Sequence, residues 1–155
     1  EFSIVEFVYS TPYGDILVIN GHCSLCGYRF FDIFNLETHE PIKLILRVEK
    51  PDDLRSLIIR SNTASIKIPE FGIEVQPGPA ALPFITTVDG ILYRVLDVLV
   101  LFSENESMKM EELINKAMDG EASFTLILED PYGNSAIIPY KKDRLKVIRL
   151  RKNKS

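Results

Sequence analysis

Cys23-Ser24-Leu25-Cys26-Gly27 places two thiols three residues apart and follows the second with a glycine, the spacing of a metal knuckle. A structural zinc site of this kind wants four ligands, typically as two such pairs. The chain has 155 residues, two cysteines and two histidines, His22 and His39. Cys23 and Cys26 are therefore read as half of a zinc ribbon, an incomplete site whose other half is expected ahead of Glu1. Ribbons separate their two knuckles by a β-hairpin, and Ser3 to Asn20 has that pattern. The sequence also opens on Glu1 without a methionine, as a truncated chain would. Two reduced thiols without a metal remain an alternative. A redox pair fits less well, because it usually opens a helix whose N-terminus lowers the thiol pKa. Here Gly27-Tyr28-Arg29-Phe30-Phe31 reads as a turn followed by a strand. Two cysteines are too few to staple a secreted domain of this length.

The remaining chain is long enough for one full domain besides this appendage. Its apolar content of 46% supports a packed core. The longest apolar stretch, Ile91 to Phe102, is interrupted by Arg94 and Asp97 and is too short to cross a bilayer. A soluble, cytoplasmic protein with no membrane association is expected. Charge is unevenly spread. Residues 141–155 carry eight Lys/Arg and one Asp, leaving ten basic against twenty-one acidic residues elsewhere. An acidic body is a poor nucleic-acid binder, since phosphate contacts dominate that affinity. The alternating tail Arg144-Leu145-Lys146-Val147-Ile148-Arg149-Leu150-Arg151 reads as a solvated edge strand, where cations discourage edge pairing.

Along the chain, residues 3–9 and 15–20 read as strands around the turn Thr11-Pro12-Tyr13-Gly14. Residues 33–40 form a polar connector. Strands are expected at Pro41 to Glu49, Ala64 to Pro69 and Ile73 to Val75, the last followed by the turn Gln76-Pro77-Gly78-Pro79. Pro51-Asp52-Asp53-Leu54 heads a turn or short helix. The period then changes. Thr86-Thr87 can cap a helix from about Val88 to Phe102, apolar on nearly all sides. Asn105-Glu106-Ser107 can cap a second, roughly Met108 to Met118, which Gly120 stops. Strands resume at Ser123 to Glu129, Ala136 to Tyr140 and Leu145 to Leu150. The expected organisation is a partial zinc ribbon over residues 1–40 and a β domain over 41–155, carrying a helical hairpin at about 86–120. Strands before and after a helical pair imply a sandwich-like or closed β architecture rather than a βαβ sheet.

Catalysis has little support. An oxygenase-type metal centre needs two histidines and a carboxylate converging, and His22 and His39 both lie outside the main β domain. No Ser-His-Asp set can be assembled there, and the sequence has no phosphate-binding loop of either common type. Asp52-Asp53 and Glu111-Glu112 have the spacing of turn and helix surface.

Several strings occur together and in order. They are Cys23-x-x-Cys26-Gly27-Tyr28, Pro51-Asp52-Asp53-Leu54, Ser61 to Glu70, Gln76-Pro77-Gly78, Phe84-Ile85-Thr86-Thr87-Val88-Asp89-Gly90, and Leu128-Glu129-Asp130-Pro131-Tyr132-Gly133-Asn134-Ser135. Over about residues 5–140 the chain resembles the ZPR-type zinc-finger protein family in its single-copy archaeal form. The resemblance implies a four-cysteine zinc ribbon followed by a β domain of double-stranded β-helix type with a helical-hairpin insertion. Eukaryotic members carry this unit twice, bind translation elongation factor 1-alpha and serve its folding. They are also linked to receptor tyrosine kinase tails. This sequence departs from the pattern where the first Cys-x-x-Cys is missing.

The expectation is a non-enzymatic, protein-binding module whose partner is an elongation factor of the 1-alpha type. A zinc-ribbon nucleic-acid-binding or transcription accessory protein is the alternative. A small-molecule-binding β-barrel would need a roomy apolar pocket. On the first helix, an apolar strip near Ile91, Val95 and Val98 is expected to stay exposed for a partner. Arg94 and Asp97, which interrupt it, each need water, a charge or another protein. These five are the candidate partner-binding residues.

Overall fold

The computed structural model describes residues 1–12, 14–37, 39–78 and 81–149. Tyr13 and Pro79, within two of the expected turns, Thr38 in the connector, and residues 150–155 of the basic tail lie outside the described residues.

Three strands come first: β1 (Phe2–Thr11), β2 (Gly14–Cys23) and β3 (Arg29–Asn35), paired antiparallel in chain order. β3 runs into the stretch expected to be a polar connector, because Phe31, Ile33 and Asn35 keep the pleat against β2. Next come β4 (Ile42–Val48), β5 (Leu57–Arg60), β6 (Ser65–Ile68), β7 (Ile73–Val75) and β8 (Phe84–Thr87). Two helices follow, α1 (Val88–Val98) and α2 (Glu104–Met118). β9 (Phe124–Asp130), β10 (Ala136–Ile138) and β11 (Leu145–Arg149) complete the chain. The strands from β4 onward form two antiparallel sheets, ordered β10-β5-β8 and β11-β4-β9-β6-β7. The result is mainly β and sandwich-like, with a helical pair inserted between β8 and β9, as the sequence predicts.

Alternation explains the larger sheet. Leu44 and Leu46 of β4 face Leu128 and Leu126 of β9 in register, and all four are fully buried. One-residue slippage would turn this whole row to solvent. β5 does not alternate: Ile58, Ile59 and Arg60 are buried in succession at the centre of the smaller sheet. Both sheets, both helices and three residues of the first sheet, Ile16, Val18 and Ile33, share one apolar core.

The helices differ from expectation at their junction. α1 stops at Val98, and Leu99–Leu101 makes a 3₁₀ turn. α2 starts four residues earlier than predicted because Ser103 takes the cap position. Its hydroxyl accepts from Glu106 N–H at 3.4 Å, in a Ser-x-x-Glu arrangement with Glu104 and Glu106 near the positive end of the helix. At the other end Gly120 has φ +78°, Gly120 N–H donates to Ala117 C=O and Glu121 N–H to Lys116 C=O. That pair of bonds is the Schellman ending, and it needs the left-handed residue glycine supplies. Thr86-Thr87 is the end of strand β8 as well as the entry to α1. Gly90 follows because a Cβ there would collide with the Thr86 hydroxyl. No described helix is long and apolar enough to span a membrane.

Candidate functional site

The knuckle sits where β2 ends. Cys23 is the last residue of β2, half-buried, and Cys26 is exposed in the following turn. Gly27 N–H donates to Cys23 C=O at 2.9 Å and Cys23 N–H to Tyr28 C=O at 2.8 Å, which closes the loop tightly. The thiol pKa of Cys23 is held below its ordinary value. The backbone N–H of Cys26 contributes most, followed by the Cys26 side chain and the N–H of Leu25. Donors aimed at the sulfur favour the thiolate a metal requires. Glu1 lies against this loop, its C=O accepting from Ser24 N–H at 3.0 Å. The donor set fits half of a tetrahedral zinc site and not a whole one: no cluster of three or more His, Cys, Asp or Glu suited to a metal exists among the described residues.

The second feature is a groove of about 630 Å³ between strand β7 and the helical hairpin. The five candidate partner-binding residues divide here. Ile91 is buried, 2% exposed, and forms the floor, so it is not part of an exposed strip. It sits on the face of α1 that carries Val88 and Leu92 into the core, and the groove reaches only its edge. Val95 is half-buried on the wall, and Val98 is 47% exposed at the mouth. Arg94 lines the groove too, its guanidinium stacked 4.5 Å from the centroid of the Phe84 ring. Asp97 is exposed, outside the lining, and forms no ion pair among the described residues.

Phe84 has a second cation against its ring. Arg60 approaches it at 5.3 Å, and is itself 2% exposed. The Arg60 guanidinium donates to three backbone carbonyls, those of Ala64, Gln76 and Leu82, at 3.1, 2.9 and 3.1 Å. Its pKa falls because burial disfavours the charge, while Asp130 acts in the opposite sense. The bonds to Gln76 and Leu82 tie the residue after β7 and a residue just ahead of β8 to Arg60, and so help place Phe84 on the groove wall.

Asp130, 1% exposed, organises the turn after β9. Its oxygens accept from Thr63 Oγ1, Tyr132 N–H, Asn134 N–H and Ser135 Oγ at 2.8, 2.9, 3.2 and 2.6 Å. Ser135 Oγ in turn accepts from Ser61 N–H at 2.9 Å. The Asp-Pro-Tyr-Gly-Asn-Ser string thus ties the turn to the loop after β5.

The family model of the ZPR1 jelly-roll domain matches residues 52–154. A ZPR1-like protein of Methanocaldococcus jannaschii is 41% identical over 146 residues, covering 88% of this chain and 74% of its own length. The chain belongs to the ZPR1 family. A ZPR1-like protein of Pyrococcus horikoshii is 34% identical, with 86% and 66% covered. Zinc finger chaperone zpr1 of Schizosaccharomyces pombe is 34% identical over 140 residues, with 81% of this chain but only 30% of the yeast protein covered. The yeast protein's name describes a zinc finger chaperone, and none of the three names describes an enzyme.

Within the ZPR1 jelly roll, sequence reasoning found one wall of the groove and missed the other. Phe84, β7 and Met110 complete it. The signal available for Phe84 was its place directly ahead of the Ile-Thr-Thr strand end. Nothing local in Ile73-Glu74-Val75 announces that this strand closes a sheet.

Proposed function

We propose that this ZPR1 family chain is a non-enzymatic, protein-binding module that engages a translation elongation factor of the 1-alpha type in the cytoplasm and assists its folding. Residues 1–40 act as part of a zinc ribbon, with Cys23 and Cys26 supplying two ligands. Residues 41–155 act as the β platform that carries the hairpin. The observation that carries this reading is the tip of the hairpin. Val98, Leu101, Phe102 and Met108 are 47%, 82%, 57% and 62% exposed, a concentration of apolar side chains typical of interaction surfaces. The relative named a zinc finger chaperone supports the same class of role.

The test is calorimetric titration of a zinc-loaded form carrying both knuckles against the purified factor. Saturable binding, weakened when Arg94 and Asp97 are both changed to alanine, is the expected result. Unchanged affinity would remove those two residues from the contact. No binding by the zinc-loaded form, together with a steeply salt-dependent gel shift on nucleic acid, would replace this reading with the nucleic-acid alternative.

A further inference from the structure

We infer that the groove between β7 and the hairpin receives an extended, basic-and-apolar segment of a partner protein as an added strand on the β7 edge. The inference rests on the reading of the chain as a protein-binding module, and not on which partner that is.

The lining gives the first reason. Ile73, Glu74 and Val75 all border the groove. A strand presents only alternate residues on one face, so three in succession mark its edge. β7 is the terminal strand of the larger sheet, and β6 is its pairing partner among the described residues. The N–H and C=O groups on its outer side therefore face the groove as a template for another strand. The opposite wall is apolar: Val95 and Val98 of α1, Phe84 and Met110. An added strand would bond β7 with its backbone and place alternate side chains against that wall. The volume, about 630 Å³, is in the range of formed binding sites, and a three-residue edge suits a segment of about 10–16 Å.

Charge selects the occupant. Glu74 and Glu106 lie on the groove. Glu74 already meets Lys67 at 3.9 Å and accepts from Gln76 Nε2 at 2.6 Å. Glu106 forms no ion pair among the described residues and is the carboxylate open to an incoming cation. Arg94, the one cation of the lining among the described residues, is stacked on Phe84. A segment that carries Lys or Arg between apolar residues meets the acidic rim and the apolar wall together.

The probe is a blocked, fluorescein-labelled heptapeptide of alternating valine and lysine, titrated by polarisation and mapped on the isotope-labelled chain by amide shifts. Saturable binding is expected, with shifts concentrated at residues 72–75 and 91–98. Methylating the peptide amides along one edge should weaken it by about tenfold or more, while the same change along the other edge leaves affinity within about twofold. Val98→Asp should weaken binding at an unchanged melting temperature. Glu106→Gln, which keeps the Ser-x-x-Glu/Gln cap of α2, should weaken it while the chain stays folded. Equal binding of both methylated peptides would overturn the inference. So would displacement by an amphipathic helical peptide of the same composition, shifts confined to other surfaces, or absence of saturable binding. If every peptide fails while the elongation factor still binds, the strand-addition inference falls and the partner reading stands. If the peptide binds as described and the factor does not, the reverse holds.

Discussion

Asn134 Oδ1 accepts a hydrogen bond from the backbone N–H of Asn35 at 3.1 Å, joining residues ninety-nine positions apart. Asn35 is the last residue of β3 and is 1% exposed, and Asn134 stands in the turn organised by Asp130. Asn35 Oδ1 also accepts from Glu37 N–H at 2.9 Å, shaping the exit of the first sheet. The first sheet is therefore seated on the jelly roll through a turn that a buried carboxylate holds.

Asn134→Ala should cost about 1 kcal/mol in urea unfolding, the net worth of one such bond. Amide exchange should quicken in β2 and β3 more than in β4 and β9. Equal acceleration in both sheets would show that the bond does not fasten the first sheet in particular.

Asp130→Ala should be far more costly, about 3 kcal/mol, because it removes a charged acceptor of four bonds, two of them from the Thr63 and Ser135 hydroxyls. It also removes the negative charge that offsets the buried Arg60. A loss no larger than that of Asn134→Ala would contradict the role given to Asp130.

Asp53 predicts the acid side of the stability curve. Burial raises its pKa, but Glu49 N–H, Lys50 N–H and Arg144 together outweigh burial and hold it below the ordinary carboxylate value. The two N–H groups and Arg144 Nε donate to its Oδ2 at 3.0, 3.0 and 3.1 Å. A lowered folded-state pKa gives stability that is present above the unfolded value, near 3.9, and is lost as pH falls through the folded value. Asp53→Asn should be less stable by about 1–2 kcal/mol at pH 7, the scale of a hydrogen-bonded charge. That difference should narrow below about pH 4 as the native carboxylate gains its proton. A gap that stays constant down to pH 2 would refute the assignment.

Gly90→Ala should destabilise the entry to α1, since the new methyl meets the Thr86 hydroxyl. Thr86→Ala in the same chain should restore most of the loss. A double-mutant cycle from thermal melts reads the coupling, expected to be about 1 kcal/mol or more. Additive effects would mean the two residues do not share that space.

Metal content follows from the ligand count. As two thiolates, Cys23 and Cys26 should hold no tightly bound zinc by elemental analysis after dialysis against a weak chelator. A chain extended by a further Cys-x-x-Cys ahead of Glu1 should hold one zinc. One tight zinc per unextended monomer, without ligands from a second chain, would show that the site is complete.

Strands that alternate were legible in the sequence, β4, β6 and β9 above all, because one buried face leaves a period of two. β5 left no such trace: Leu57-Ile58-Ile59-Arg60 is short, continuous and buried, and periodicity does not distinguish it from a piece of helix. The hairpin was legible as a change of period, but its junction was not. The cap fell to Ser103 rather than to Asn105, and both have the right chemistry. Of the candidate site, the tight turn that joins Cys23 to Cys26 was visible in their spacing. Ile91 was misplaced because an apolar helix does not tell from its own sequence which of its sides the neighbouring strands will cover.

β4 pairs with β9 on one side and β11 on the other, inside the larger sheet, yet residues 42–48 precede the matched ZPR1 jelly-roll stretch at 52–154. A fragment cut to that stretch would lose an interior plank and leave two rows of backbone donors and acceptors facing a slot. Ile42, Leu44, Leu46 and Val48 would leave the core with it. The piece that can be transplanted between proteins therefore starts no later than Pro41, and it brings the seat of the first sheet along with it.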